Sequence, residues 1–290
     1  MTDDTRASRE LVTSDGTTLW VEVDGPDDAP LTVVFVHGFT LNLANFAEQR
    51  AGWTDDSVRR VFYDQRAFGQ SERGPRGRAS IRRLADDLGE LIDSLDGPVV
   101  VVGHSMGGMV MAALAGVRPE LFDERIVGAM LIATTGRGGD ITMLGLEGLA
   151  RRIGHGLLTG LHKTEPLPRL TAPLTNRLVP WLFHDLRSAA AHRQAFMAMV
   201  NQTSYDVMAD YLRAMLEFDE YDSLPVLSKV PNVVVAGSAD RITPLSANQH
   251  VADAIGAELV VAKRSGHMVP FERADVVTRE LAALLERVRG

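Results

Sequence analysis

The sequence predicts an α/β fold: a mostly parallel, eight-stranded sheet flanked by helices, with a helical insertion after the sixth strand. Three observations predict it. From residue 31 onward, short apolar runs alternate with segments of helical period, a pattern that builds a parallel sheet with helices on its faces. A serine between glycines, in Gly103-His104-Ser105-Met106-Gly107, stands where an apolar run gives way to a helix-like one. The alternation then breaks between residues 133 and 232. A structureless connection of that size is uncommon in a compact domain, so the gap must hold elements of its own.

The strands follow in order. Residues 10–13 and 19–24 have mixed patterns and are joined by Ser14-Asp15-Gly16, a hairpin-type turn. Apolar strands are expected at 31–36, 58–63, 99–102, 126–133, 232–236 and 258–262. Helices are expected at 45–50, 80–95, 106–117, 245–255 and 274–289. Within the insertion, 141–153, 175–183, 188–203 and 204–218 read as helices, and Pro166, Pro168, Pro173 and Pro180 punctuate its middle. The expected division is a core of residues 1–135 and 224–290 and an insertion of residues 136–223.

Composition narrows the function. With 290 residues and 45% hydrophobic content, the chain suits one large α/β domain carrying an insertion. A net charge of −8 argues against a nucleic-acid partner, which needs a basic surface. The basic residues from Arg73 to Arg83 read as a solvated loop and helix face. The start, Met1-Thr2-Asp3-Asp4-Thr5, has no apolar core of the signal-peptide kind. No stretch has the length and apolarity of a transmembrane segment. The chain has no cysteine, which excludes disulfides and a thiol nucleophile. Together these features are those expected of a cytoplasmic protein.

The serine motif has the mechanics of a nucleophile elbow. A sharp strand-to-helix turn lifts the Ser105 hydroxyl above the sheet and aims the Met106 N–H at a reacting carbonyl, while the glycines remove side chains that would clash. Such an elbow is followed in sequence by an acid and then a histidine. Asp240 follows the apolar run 232–237, and His267 follows the run 258–262. Ser105, Asp240 and His267 thus all lie just beyond carboxyl ends of strands, where parallel sheets carry their sites. The bland alternatives are a surface Asp240 paired with Arg241 and an ordinary loop histidine at 267. Asp219, Glu220 and Asp222 are competing acids, and the position after the sixth strand holds Thr134 and Thr135. Upstream, His37-Gly38-Phe39 follows the strand at 31–36, where a second oxyanion donor arises. The expected donor is the Phe39 N–H. Gly38 lets the backbone approach the substrate, and His37 orders the loop by hydrogen bonding.

On these residues the chain resembles the α/β-hydrolase superfamily, specifically its compact esterase-like members with a helical cap. The resemblance rests on His37-Gly38-Phe39, on Asp64-Gln65-Arg66-Ala67-Phe68-Gly69-Gln70-Ser71 and on Gly103 to Gly108. It extends to Gly237-Ser238-Ala239-Asp240-Arg241 and Gly266-His267, and so covers nearly the whole chain. One departure stands out: Ala67 occupies a position where members usually carry glycine, and Phe68 is bulkier than many residues found there. The resemblance implies an α/β-hydrolase fold with residues 136–223 as a lid. Dehalogenases and epoxide hydrolases of the superfamily place an aspartate at the elbow, whereas this chain has Ser105.

The expected activity is hydrolysis of a small-molecule carboxylic ester with a small or medium apolar acyl group, through an acyl-enzyme and without a metal or organic cofactor. Thioester, lactone or C–C bond cleavage and perhydrolysis use the same triad and are the alternatives. A non-enzymatic ligand receptor of this fold is a third, against which the complete triad counts. The insertion is rich in apolar residues, among them Phe183, Phe196, Met199, Met215 and Phe218. Met143, Trp181, Met197 and Met208 are expected to line the substrate site with Gly38, plain helix packing being the other reading. His155, His162, His184 and His192 lack metal-ligand spacing and read as surface or packing residues.

Overall fold

Thr13 and Thr17 close the first turn, the Thr13 N–H donating to the Thr17 carbonyl at 2.9 Å. The turn joins β1 (Ala7–Val12) to β2 (Thr18–Asp24) as an antiparallel pair. The computed structural model describes residues 7–75, 79–142, 182–184 and 190–290. Six more strands follow: β3 (Leu31–Val36), β4 (Val58–Tyr63), β5 (Val99–His104), β6 (Ile126–Ile132), β7 (Asn232–Gly237) and β8 (Glu258–Ala262). The sheet order is β1-β2-β4-β3-β5-β6-β7-β8. β2 runs antiparallel to β4, and every pairing from β4 to β8 is parallel. This is the expected eight-stranded, mostly parallel sheet.

The order reverses at β3. The chain passes from β3 to β4 on one side and returns to β5 on the other, and the crevice beyond such a switch point is where open α/β sheets bind ligands. The loop after β3 and the turn after β5 both open there.

Helices cover both faces. α1 (Ala47–Ala51), α2 (Ile81–Asp93), α3 (Met106–Val117) and α4 (Leu121–Glu124) precede β6. α5 (Ala190–Val200) and α6 (Tyr205–Leu216) lie between β6 and β7, and α7 (Leu245–Ile255), α8 (Val269–Glu272) and α9 (Ala274–Arg289) complete the chain. The period of two along β5 divides its valines between two cores. Val99 and Val101 pack with Leu84, Leu88, Val110 and Leu114 of α2 and α3. Val100 and Val102 pack with Leu281, Leu284 and Leu285 of α9. Each fully buried side chain of this kind contributes about 1.5–3 kcal/mol.

The differences from expectation are local. The segment 45–50 divides into a 3₁₀ turn, Leu43–Phe46, and α1, because the Asn42 side chain caps the turn by accepting the Ala44 N–H at 3.0 Å. β5 runs to His104 because its pairing with β6 continues through Gly103 and His104. α4 and α8, at four residues each, are too short to display a helical period. The expected helices at 141–153 and 175–183 fall almost wholly outside the described residues. Among the described residues of the basic segment, Arg73 and Arg82 are solvated as expected, with side chains 49% and 62% exposed, and they are also ion-paired. Arg73 pairs with Asp206 and Asp210 of α6, Arg82 with Glu220 at 2.6 Å, and Arg83 with Asp87 at 3.1 Å. Charge read along the chain does not include acids brought over from α6. Among the described residues no helix is long and apolar enough to cross a membrane.

Candidate active site

β5 turns into α3 at Ser105, whose φ of +53° and ψ of −116° lie outside the common regions for a non-glycine residue. Neighbouring bonds hold this conformation. The Ser105 N–H donates to the Ile132 carbonyl at 2.9 Å, and the Ser105 carbonyl accepts from the Gly108 N–H at 2.9 Å and the Thr134 hydroxyl at 2.8 Å. Close contacts explain the glycines. A Cβ on Gly103 would come within 2.6 Å of Met111 Sδ, and one on Gly108 within 2.5 Å of Thr134 Oγ1.

The three residues named from sequence meet. Ser105 Oγ lies 2.8 Å from His267 Nε2, and His267 Nδ1 lies 2.9 Å from Asp240 Oδ2. All three are buried, at 7%, 4% and 7% exposure for Ser105, His267 and Asp240. Asp240 also accepts the Ile242 N–H at 2.8 Å, the Thr243 N–H at 3.0 Å and the Thr243 hydroxyl at 2.8 Å. It is therefore a buried member of the site and not a surface acid. Thr243 is a member of the site that the sequence reading missed. Its signal is local, since an aspartate that accepts N–H groups two and three residues on forms a side-chain turn. The competing acids are engaged elsewhere: Glu220 with Arg82 and Ser223, Asp219 with the Tyr221 N–H. Asp222 is exposed.

The loop after β3 reaches the elbow. A Cβ on Gly38 would sit 3.3 Å from Ser105 Cβ. Among the described residues, neither the Phe39 nor the Met106 N–H has an acceptor. His37 orders this loop as expected: its Nε2 accepts the Gln65 N–H at 2.9 Å, so its Nδ1–H donates to the Gly38 carbonyl at 2.8 Å. Burial pushes His37 down to about 4, which keeps it neutral. His104, the unassigned residue of the elbow, is also neutral, pushed down to about 3 chiefly by burial. Its ring Nε2–H donates to the His267 carbonyl at 3.0 Å.

The departures at 67 and 68 in the loop from Asp64 to Ser71 are both accommodated locally. Ala67 takes φ +71°, a left-handed conformation that glycine adopts without strain. Phe68 is buried between His37 and Phe39 on one side and Tyr211 of α6 on the other, with ring centroids 5.7, 6.4 and 5.1 Å away. Asp64 accepts the Leu43 and Gln70 N–H groups at 2.8 and 2.7 Å, and burial pushes its carboxyl up to about 6.

An apolar cluster adjoins these loops. Leu41, Phe183, Phe196, Met199, Val200, Met268 and Phe271 form it, with Met197 and Met208 half-buried against it. Leu41 and Met268 connect it to the loops of Gly38 and His267. Met143 and Trp181 lie outside the described residues, as do His155 and His162. His192 is a packing residue, stacked on Phe271 and 2.9 Å from Glu48, and His184 is exposed. Among the described residues no group of three His, Asp or Glu side chains is placed to hold a metal ion.

The pattern characteristic of the Alpha/beta hydrolase family matches residues 33–280, and the chain belongs to that family. It thus has both the family's sequence pattern and the fold described above. It is 28% identical over 275 residues to the dihydrolipoyllysine-residue acetyltransferase component of the acetoin cleaving system of Pseudomonas putida. That match covers 92% of this chain and 66% of the relative, so the chain spans slightly under two-thirds of the relative's length. A solved thermophilic esterase from Thermogutta terrifontis superposes with a TM-score of 0.77 at 26% identity, covering 98% of this chain and 100% of that one. The enol-lactonase from Burkholderia xenovorans LB400 shares the fold, with a TM-score of 0.75 at 23% identity, covering 96% of this chain and 100% of that one.

Proposed function

We propose that this protein is a serine hydrolase that cleaves a carboxylic ester of a small or medium apolar acyl group. The observation that carries this reading is the buried line from Ser105 Oγ through His267 to Asp240, with hydrogen-bond distances of 2.8 and 2.9 Å. Ser105 attacks the acyl carbonyl as His267 takes its proton. Asp240 holds the Nδ1–H tautomer and stabilises the imidazolium. The unengaged N–H groups of Phe39 and Met106 receive the oxyanion, each donor contributing about 3–4 kcal/mol. His267 returns the proton to the leaving alcohol and then activates the water that releases the acid.

The core comprises residues 1–135 and 224–290, and residues 136–223 form a cap. Two features support this division. The ends of the insertion meet, with an antiparallel bridge between Arg137 and Asp219 and the Gly138 N–H donating to the Phe218 carbonyl at 2.7 Å. The apolar cluster on α5 also joins Leu41 and Met268 beside the triad, where an acyl chain would lie. That a solved structure of this fold at 26% identity is an esterase supports this substrate class.

The test is a panel of p-nitrophenyl esters, thioesters and lactones together with a fluorophosphonate probe. Ester turnover with a phosphonyl adduct at Ser105 is expected, and Ser105→Ala should fold normally and lose on the order of 10⁶ in kcat. An adduct at another serine, with activity kept in Ser105→Ala, contradicts the assignment. Turnover of thioester or lactone alone would keep the triad and move the substrate class.

A further inference from the structure

Residues 182–184 of the insertion lie against the loop that carries His267. The Leu182 carbonyl accepts two hydrogen bonds, from the His267 N–H at 2.8 Å and the Met268 N–H at 3.2 Å. Gly266 lies directly beneath: a Cβ there would fall 2.6 Å from the Leu182 oxygen and 3.0 Å from the His184 nitrogen. Glu272, on α8, grips both segments. Its Oε1 accepts the His184 N–H at 2.6 Å, and its Oε2 accepts the Gly266 N–H at 2.7 Å and the Ser265 hydroxyl at 3.4 Å. Hydrogen bonds to an ionised carboxylate are shorter and stronger than neutral ones.

We propose that Glu272 is a positioning residue for the base: it binds the backbone of residues 184 and 266 at once and so seats His267 opposite Ser105. The inference rests on the reading of His267 as general base. Glu272 touches neither substrate nor reacting atoms. It acts through the backbone, whose position sets the Nε2 to Oγ distance. Displacement of a catalytic group by about 1 Å costs on the order of 10² in rate. Both carboxylate oxygens face N–H donors, so a glutamine would turn an NH₂ toward one of them.

The experiment compares Glu272→Gln and Glu272→Asp in the full chain with Glu220→Gln. The last variant removes a carboxylate from the Arg82 pair and leaves residues 182–184 and 265–268 alone. Hydrolysis of p-nitrophenyl butyrate is normalised to Ser105 titrated by fluorophosphonate, and amide hydrogen exchange is followed at 182–184 and 266–268. Glu272→Gln should lower kcat on the order of 10- to 100-fold with KM held within about twofold. Exchange should rise in both segments together, and Glu272→Asp should recover part of kcat. Glu220→Gln should lower Tm and keep kcat. Wild-type kcat per titrated site in Glu272→Gln, or faster exchange at 182–184 alone, overturns the proposal. If Glu272→Gln does not fold, Glu272→Asp is judged by the same two readouts. If the wild type neither turns over esters nor labels at Ser105, the functional reading fails. Unchanged exchange at 266–268 in either Glu272 variant then overturns the grip on the histidine loop separately.

Discussion

Gly107 lies so close to the carbonyl oxygen of Val36 that a Cβ at position 107 would come within 2.1 Å of it. The contact joins the first turn of α3 to the end of β3, one residue before His37. It fixes the approach of the two backbone segments that carry Phe39 and Met106. Neither partner can give way, because both are backbone and both lie in the buried centre of the sheet. Gly107→Ala should therefore destabilise at or beyond the upper end of the ~1–3 kcal/mol typical of overpacked sites. Urea unfolding measures it, and a midpoint equal to that of wild type would contradict the contact.

Asp240→Asn should lower kcat on the order of 10³–10⁴ while the protein stays folded, because an amide cannot hold the productive imidazole tautomer. Asp222→Asn serves as the comparison, since Asp222 is exposed. It should retain full activity. A dead Asp222 variant beside an active Asp240 variant would reassign the acid.

Stability should fall on mild acidification, and the sign follows from buried groups. His37 and His104 are held near 4 and 3 in the folded chain, below the ordinary 6.5, so the unfolded chain binds protons there that the folded chain does not. Their contribution is complete above pH 6.5 and is lost as pH falls toward those values. Asp64 acts oppositely, because its folded carboxyl, raised to about 6 from 3.8, holds its proton within that window, and Asp87, also raised by burial, acts in the same sense as Asp64. The surplus of the two histidines over these carboxyls is at most about one proton, or ~1.4 kcal/mol per pH unit. Urea midpoints at pH 7.5 and 5 test this. A midpoint that stays level or rises on acidification rejects the neutral burial of the two histidines.

Met197 and Met208 pack half-buried on the cluster that adjoins Leu41 and Met268. If the cluster receives the acyl chain, Met197→Ala should raise the ratio of octanoate to acetate ester hydrolysis, by enlarging an apolar pocket worth ~1–3 kcal/mol per methylene-scale change. Met208→Ala should act in the same direction. If both variants lose stability and keep the wild-type ratio, these residues are packing alone.

Ser105 and Asp240 can be named from sequence because each follows a strand whose apolar run declares its burial, and His267 because it follows β8, a half-exposed edge strand that its apolar run still marks. The strand end then places the residue at the mouth of the sheet. The long helices α3, α7 and α9 likewise have ends that match their sequence period. Thr243 is legible in principle, three residues from the aspartate it serves. Other members of the site are not. His104 is only the variable residue of a motif until its ring meets the carbonyl of a residue 163 positions away. Arg73 reads as part of a solvated basic run, and its side chain is 49% exposed, but its pairing with Asp206 and Asp210 of α6 is not legible there.

The sequence by itself determined the strands, the turn at Ser105 and the placing of Ser105, Asp240 and His267 beyond strand ends. Each depends on side-chain period or on steric demands within a few residues. Only the tertiary structure decided that Ser105 and His267, 162 residues apart, stand at hydrogen-bond distance. It also decided that Glu272 joins the insertion to the histidine loop. Those relations are set by the sheet order and by how the insertion packs back onto it. Such distances arise from the closure of long loops, and the local pattern of a chain does not carry them.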